Sequence, residues 1–286
     1  MYTEEIALGC DIGGTHITCA LINLREKKQV ESTFVREHID AGADADSIIA
    51  AWASCMRKSM EGKLPPAYIG IAMPGPFDYE KGISLIKGQD KYEQLYGLNV
   101  KELLACELQV PASKIHFNND AACYLKGEIF AGAAQGHHHV VGLTLGTGLG
   151  SSSAKDGVVK DENLWQAPFK ESIAEEYLSS RWFTTIYNER VGEKVSGVKD
   201  LVERFGDNAD VSPIFEEFGR HLGEFVVRYF GNQNPDVLVL GGNIAKAAEY
   251  FLATTRKVLL DKGMSLDVKL ASLGEQSAMF GAVNLI

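Results

Sequence analysis

The chain has 286 residues, 45% of them hydrophobic, and carries a formal net charge of −10 at pH 7. That length sets an expectation of one large domain or two of ordinary size, and the excess of acid repels a phosphodiester backbone, which argues against a nucleic-acid partner. No apolar run approaches the ~18 residues of a membrane helix, so no membrane partner is expected. The acidic opening Met1-Tyr2-Thr3-Glu4-Glu5 lacks the basic region of a secretion signal, so a cytoplasmic protein is expected.

The apolar runs Ile6–Cys10 and Ile17–Ile22 are short, continuous and partly β-branched, the pattern of strands buried on both faces. Between them lies Asp11-Ile12-Gly13-Gly14-Thr15-His16. Glycines let the backbone approach a ligand and aim N–H groups at it, and an acid at a strand end suits Mg²⁺ held through water. This is a phosphate-cradle pattern, although paired glycines also make ordinary hairpins. A third strand is expected over 28–35. A helix follows, capped by Asp46 or Ser47, with Ile48, Ile49, Trp52, Cys55 and Met56 on one face and Gly62 and Pro65-Pro66 stopping it. Next come a strand at Tyr68–Met73, a turn at Pro74-Gly75-Pro76, a helix near 98–108, a strand at Lys114–Asn118 and a small-residue helix from Ala121 to about Gly132.

The second half opens in the same style. Val140–Leu145 reads as a buried strand, Gly146-Thr147-Gly148-Leu149-Gly150 as a glycine-rich turn, and Ser151–Lys155 as a second strand with a hairpin turn at Asp156-Gly157. Helices are expected near 172–188 and 198–205, and from Pro213 to Phe230 with Ser212 as N-cap. Strand Val237–Leu240 leads to Gly241-Gly242-Asn243, then a helix near 244–262, a strand over 267–272 and a closing helix at 277–285. Gly13 and Gly146 stand 133 positions apart, close to half the chain. A strand meander followed by helix–strand alternation, repeated once, predicts an α/β protein of two lobes around a cleft, each with a mixed sheet. The smaller lobe is expected to hold 1–118 and 273–286, the larger 119–272.

Two phosphate cradles and a third glycine turn at a strand end suit a nucleoside triphosphate. The chain has neither G-x-x-x-x-G-K-[ST] nor a dinucleotide turn. Asn118-Asn119-Asp120 ends a strand and begins a helix, so Asn119 or Asp120 is an N-cap by ordinary helix chemistry. Phosphoryl transfer to an alcohol also needs one positioned carboxylate to accept the hydroxyl proton, and an acid here suits that role. His137-His138-His139 cannot converge on one metal ion, because neighbours on an extended chain alternate faces. The five cysteines, Cys10, Cys19, Cys55, Cys106 and Cys123, lack C-x-x-C spacing and read as reduced, buried small hydrophobes.

The run DIGGTH, Pro74-Gly75-Pro76, FNNDAA at Phe117–Ala122, LTLGTGLG at Leu143–Gly150 and PDVLVLGG at Pro235–Gly242 together resemble the ROK family of bacterial sugar kinases and sugar-responsive repressors. The resemblance spans nearly the whole chain in family order. It implies a duplicated actin-like ATPase (ribonuclease H-like) fold, ATP and Mg²⁺ as cofactors, a hexose partner and a homodimer. By resemblance Asp120 is the catalytic base and Asn119 bonds the sugar ring. Asp11, Gly13, Gly14, Thr15 and His16, with Gly146, Thr147 and Gly148, hold phosphates and Mg²⁺, the metal through water on Asp11. Gly241, Gly242 and Asn243 lie by the adenosine, and Gly75 lines the sugar pocket.

Departures from the family pattern are equally informative. The Glu-x-x-His segment and the zinc-binding cysteine cluster of many members are replaced by the short stretch Gly157–Trp165, which has no His or Cys. No zinc is expected. Glu175-Glu176-Tyr177-Leu178-Ser179 matches the segment that follows, making Glu175 a candidate sugar ligand, while a solvated helix-face charge is the plain alternative. Glu162 is the candidate replacement for the missing acid, and Trp165 is either a sugar-stacking ring or core. His16 stands where the family often has lysine, and a histidine is neutral for much of its population at pH 7. The implied activity is ATP-dependent phosphorylation of a hexose, glucose or a close relative at its 6-hydroxyl. The alternatives are a sugar-responsive regulator and a sugar-binding protein without kinase activity.

Overall fold

The apolar runs build two mixed sheets with the same strand order. The computed structural model describes residues 5–89, 91–205 and 211–284. The acidic opening Met1–Glu4 and the end of the expected closing helix lie outside these residues. The chain divides into two units, one of Met1–Gln135 with Gln276–Ile286 and one of Gly136–Glu275.

In the first unit, β1 (Ile6–Ile12) and β2 (His16–Asn23) form the expected antiparallel pair, followed by β3 (Lys28–Gln29) and β4 (Val35–His38), both paired to β2. The expected single third strand is split in two. At the break Thr33 Oγ1 donates to the Val30 carbonyl at 2.7 Å and accepts the Leu21 N–H at 3.1 Å. Helix α1 (Ala45–Met60) starts earlier than expected, because its N-cap is Asp44, whose carboxylate accepts the Ser47 N–H at 2.9 Å. Then come β5 (Ile69–Met73), the small hairpin β6 (Phe77–Asp78) and β7 (Ile83–Ser84), α2 (Val100–Leu108), β8 (Ile115–Asn119) and α3 (Asp120–Phe130). The sheet order is β3-β2-β1-β5-β8, with β1, β5 and β8 parallel. Leu8, Ile17, Trp52, Ile71, Leu104 and Phe117 lie in its core.

The second unit repeats the plan. Strands β9 (His139–Leu145), β10 (Leu149–Lys155) and β11 (Val158–Asp161) form an antiparallel meander. The expected helix over 172–188 is instead a hairpin, β12 (Pro168–Phe169) with β13 (Ser172–Ile173), then the single turn α4 (Glu175–Leu178) and α5 (Ser180–Val191). Ser179 is extended between the two helices, with φ −122° and ψ 169°. After α6 (Val198–Phe205) and α7 (Ser212–Phe230) come β14 (Val237–Gly241), α8 (Leu252–Asp261) and β15 (Asp267–Leu270). Ser212 is the first helical residue of α7 and makes no side-chain cap; Val211 occupies the N-cap. The expected long helix from 244 begins as a 3-10 segment over Ile244–Tyr250, non-helical at Ala247, before α8. The order β11-β10-β9-β14-β15, with β9, β14 and β15 parallel, matches that of the first sheet. Leu143, Phe183, Phe218, Phe225, Leu238 and Phe251 are fully buried in this core.

Helix α9 (Ser277–Ala282) returns to the first unit. Fully buried Glu128 on α3 accepts the Ser277 hydroxyl at 2.6 Å on one oxygen and the Ala133 N–H at 2.8 Å on the other. That carboxylate ties α9 to the end of α3, which keeps α3 with the first unit. The compact units therefore change over after Gln135 and Glu275, whereas the sequence suggested a boundary at Asn119.

Candidate active site

Parallel strands of an α/β sheet gather ligand-binding residues at their carboxyl ends. In the first unit Asp11 on β1 is in register with Ala72 on β5, and Ala72 with Asn118 on β8. Gly13-Gly14-Thr15 is an exposed turn just past Asp11, closed by the Gly13 N–H to the His16 carbonyl at 2.9 Å. Thr15 Oγ1 and His16 Nδ1 lie 2.9 Å apart, and the His16 ring packs edge-on to His38. Tyr92, fully buried and edge-on to Trp52, donates its hydroxyl hydrogen to the Gly13 carbonyl.

At the neighbouring strand ends, Asn119 caps α3 by accepting the Ala122 N–H at 3.0 Å and donates Nδ2–H to the Tyr79 hydroxyl at 3.2 Å. Tyr79 donates to the Met73 carbonyl at 3.1 Å, and a Cβ on Gly75 would stand 3.1 Å from the same hydroxyl. Gly75, Tyr79 and Asn119 thus share one small polar neighbourhood. Asp120 is half-buried and accepts the Ala121 N–H at 2.9 Å, which orients its carboxylate. Burial pushes the Cys123 thiol up, Lys126 pulls it back, and Asp120 and Asp11 both add to the rise. Both acids therefore lie within electrostatic reach of one side chain.

In the second unit the Gly146–Leu149 turn joins β9 to β10. Gly146 N–H donates to the Gly148 carbonyl at 3.1 Å, and Thr147 is exposed at the tip. Gly242 lies beside it: its φ is +84°, and a Cβ there would stand 2.3 Å from the Leu145 carbonyl oxygen. Both the conformation and the close approach require glycine. Asn243 accepts from Lys246 Nζ at 2.9 Å. A cavity of about 540 Å³ opens here, lined by Ser180, Gly197, Val198, Asn243, Lys246 and Ala247 among others. Ser180, one of the lining residues, also donates its hydroxyl hydrogen to the Gly146 carbonyl at 3.0 Å, which ties the cavity wall to the glycine turn.

The other candidates fall differently. Glu175 lies against the second glycine turn, accepting the Leu149 N–H at 3.1 Å and pairing with Arg181 at 3.3 Å. Glu162 pairs with Lys160 at 3.1 Å and accepts from Ser153, which is four residues along β10 from Leu149, roughly 13 Å of strand. Trp165 is 37% exposed and donates to Asn163 Oδ1 at 2.8 Å. The His138 and His139 N–H groups donate to Asp236, and His137 Nε2 lies 3.0 Å from Lys269 Nζ, so the run works as a loop anchor. Cys106 is exposed, unlike the four other cysteines, which are buried.

Sequence reasoning missed three neighbours of these turns. Tyr79 follows the proline turn and reaches Asn119 across the fold. Lys91 lays its stem against the first turn, its Cδ 3.8 Å from where a Gly14 Cβ would be. Arg181 stands by the second turn through its pairing with Glu175. None of the three has a local pattern that marks it, because each contact joins residues far apart along the chain or across a helix break.

Comparison with known proteins places these arrangements in a family. The ROK family profile matches residues 7–166 and 170–286. A glucokinase of Thermotoga maritima is 24% identical over 98% of this chain and 96% of its own length. An N-acetyl-D-glucosamine kinase of Mannheimia succiniciproducens is 23% identical over 97% of this chain and 98% of its own. The crystal structure of a ROK family glucokinase from Streptomyces griseus, in complex with glucose and AMPPNP, matches with a TM-score of 0.76 at 20% identity, covering 98% of each chain. This likeness establishes the duplicated actin-like ATPase fold. With the profile matched over almost its whole length, the chain belongs to the ROK family.

Proposed function

We propose that this protein transfers the terminal phosphoryl group of ATP to a hexose, glucose or a close relative at its 6-hydroxyl. The observation that carries the reading is the row Asp11–Ala72–Asn118, which brings a phosphate turn and the Asn119-Asp120 pair to one end of the first sheet. Relatives named as glucokinase and N-acetyl-D-glucosamine kinase support the class of acceptor.

The residues present fit a nucleotide. The 540 Å³ cavity is of the size that small-molecule sites take, and its lining residue Ser180 is bonded to the Gly146 carbonyl of the second glycine turn. Within the first unit, the exposed Gly13-Gly14-Thr15 turn has the backbone character of a phosphate cradle in its own right. Mg²⁺, when bound with the nucleotide, supplies neutralisation of phosphate charge, and Asp11 is the carboxylate at the first turn suited to hold it through water. Asp120 takes the proton from the hexose hydroxyl as that oxygen attacks the γ-phosphorus. The bond from the γ-phosphorus to the β–γ bridging oxygen breaks, and ADP leaves. A carboxylate has acceptor capacity beyond its bond to Ala121, so the cap and the base are compatible roles. Asn119, with one oxygen committed to the helix cap, retains an N–H for a ring hydroxyl.

A coupled ADP-release assay over glucose, mannose, galactose and their N-acetylamino relatives tests the reading. Release that depends on one of these sugars and on Mg²⁺ is expected. Tight binding of a sugar with no ADP release from any would favour a sugar-binding or regulatory role instead.

A further inference from the structure

Leu149 N–H, at the end of the second glycine turn, points at the protein and not at solvent. Its acceptor is Glu175 Oε2, at 3.1 Å, and a Cβ on Gly148 would stand 2.6 Å from that same oxygen. The other end of the turn is gripped as well: the Gly146 carbonyl accepts both the Ser180 N–H, at 2.7 Å, and the Ser180 hydroxyl, at 3.0 Å. The two grips come from one short segment, because extended Ser179 breaks the chain between α4 and α5 and leaves Glu175 and Ser180 on the same side. A bare carboxylate beside a phosphate cradle would repel the ligand. Arg181 answers this, its guanidinium 3.3 Å from both Glu175 Oε1 and Glu176 Oε1.

We infer that Glu175, braced by Arg181, is a positioning residue of the second phosphate turn. A Gly-Thr-Gly turn has many conformations, and ordering it on binding would cost affinity. Holding Leu149 N–H and the Gly146 carbonyl from outside fixes the turn in advance and leaves the exposed Thr147 tip for the phosphates. Gly148 is the matching half of the device, since the Glu175 carboxylate fills the space that a side chain would take. The inference rests on the proposed nucleotide site.

Steady-state kinetics and calorimetric titration with Mg²⁺-AMPPNP on the full chain test it. Glu175→Ala is expected to raise the KM for ATP and the Kd for AMPPNP about tenfold, leaving the hexose KM within about twofold. Glu175→Gln, whose amide oxygen still accepts from Leu149, is expected to recover most of that loss. Gly148→Ala should mimic Glu175→Ala, and the double variant should be no worse than Glu175→Ala, because removing the carboxylate removes the clash. A rise in hexose KM with unchanged nucleotide constants would overturn the inference and make Glu175 a sugar ligand. If the wild type transfers phosphate to no hexose, the titration decides separately. Weakened AMPPNP binding in Glu175→Ala then upholds the brace while the kinase reading fails, and unchanged binding, or no AMPPNP binding by the wild type, overturns the brace.

Discussion

Asp11 and Asn118 stand in one row across the first sheet, each in register with Ala72 on the strand between them. Adjacent strands lie about 4.8 Å apart, so the two Cα atoms are about 10 Å apart, a separation set by backbone pairing. Two residues after Asn118 the chain reaches Asp120, in the first turn of α3. An acid on a strand end and an acid on a capped helix are held by the scaffold and do not depend on a mobile loop.

Lys91 should supply charge at the first phosphate turn. Its stem packs on Gly14, and the adjoining Tyr92 is hydrogen-bonded to Gly13, so the segment is anchored to the turn. Lys91→Ala is expected to raise the KM for ATP about tenfold, in line with the loss of a hydrogen bond to a charged group. Lys87, which packs over the Tyr96 ring, provides the control: Lys87→Ala should leave the constants unchanged. Equal kinetics for wild type and Lys91→Ala would remove Lys91 from the site.

Gly242→Ala should damage nucleotide binding before it damages the hexose side. The φ of +84° and the 2.3 Å approach to the Leu145 oxygen leave no room for a methyl group, so the turn must move away from β9. We expect a stability loss on the order of 1–3 kcal/mol and a weaker Kd for AMPPNP. Calorimetry that finds wild-type nucleotide affinity in this variant would detach the turn from the site.

His221 predicts a loss of stability in acid. Burial, chiefly, and the Lys170 charge lower its pKa to about 4, with Arg220 adding to the fall and Glu217 and Glu224 acting against it. Its ring packs edge-on to Tyr177 and Trp182, and its buried Nδ1 has no hydrogen-bond partner among the described residues. An unfolded histidine takes up its proton near pH 6.5. The unfolded chain therefore binds more protons than the folded one between about pH 6.5 and 4, and stability falls as pH drops through that window. His221→Phe should flatten this part of the Tm-versus-pH curve. Parallel curves for the two proteins would show that His221 contributes nothing to it.

Much of this fold was legible because its signals are local. Buried strands read as continuous apolar runs, and the glycine turns at Gly13, Gly146 and Gly241 lie where a strand ends. What escaped depends on contacts between distant segments. Nothing in the residues 172–188 forbids one helix, yet the Pro168–Ile173 hairpin is held by the Tyr229 hydroxyl donating to the Pro168 carbonyl at 2.6 Å. The N-cap at Asp44 was missed in favour of Asp46 and Ser47 because all three residue types cap well, and only the Ser47 N–H geometry decides among them. At the candidate site, Asp11, Asn119 and Asp120 stand out from motif and strand end alone. Glu175 could be picked as an acid of interest, but its partner Leu149 could not.

Asp120→Asn tests the central claim most directly. The amide keeps the size of the side chain and an oxygen to accept the Ala121 N–H, and loses only the basicity that takes the hydroxyl proton. Turnover with the preferred hexose should fall by about 10²–10⁴, with the KM for ATP nearly unchanged. Turnover within a fewfold of wild type would contradict the account and require a different proton acceptor.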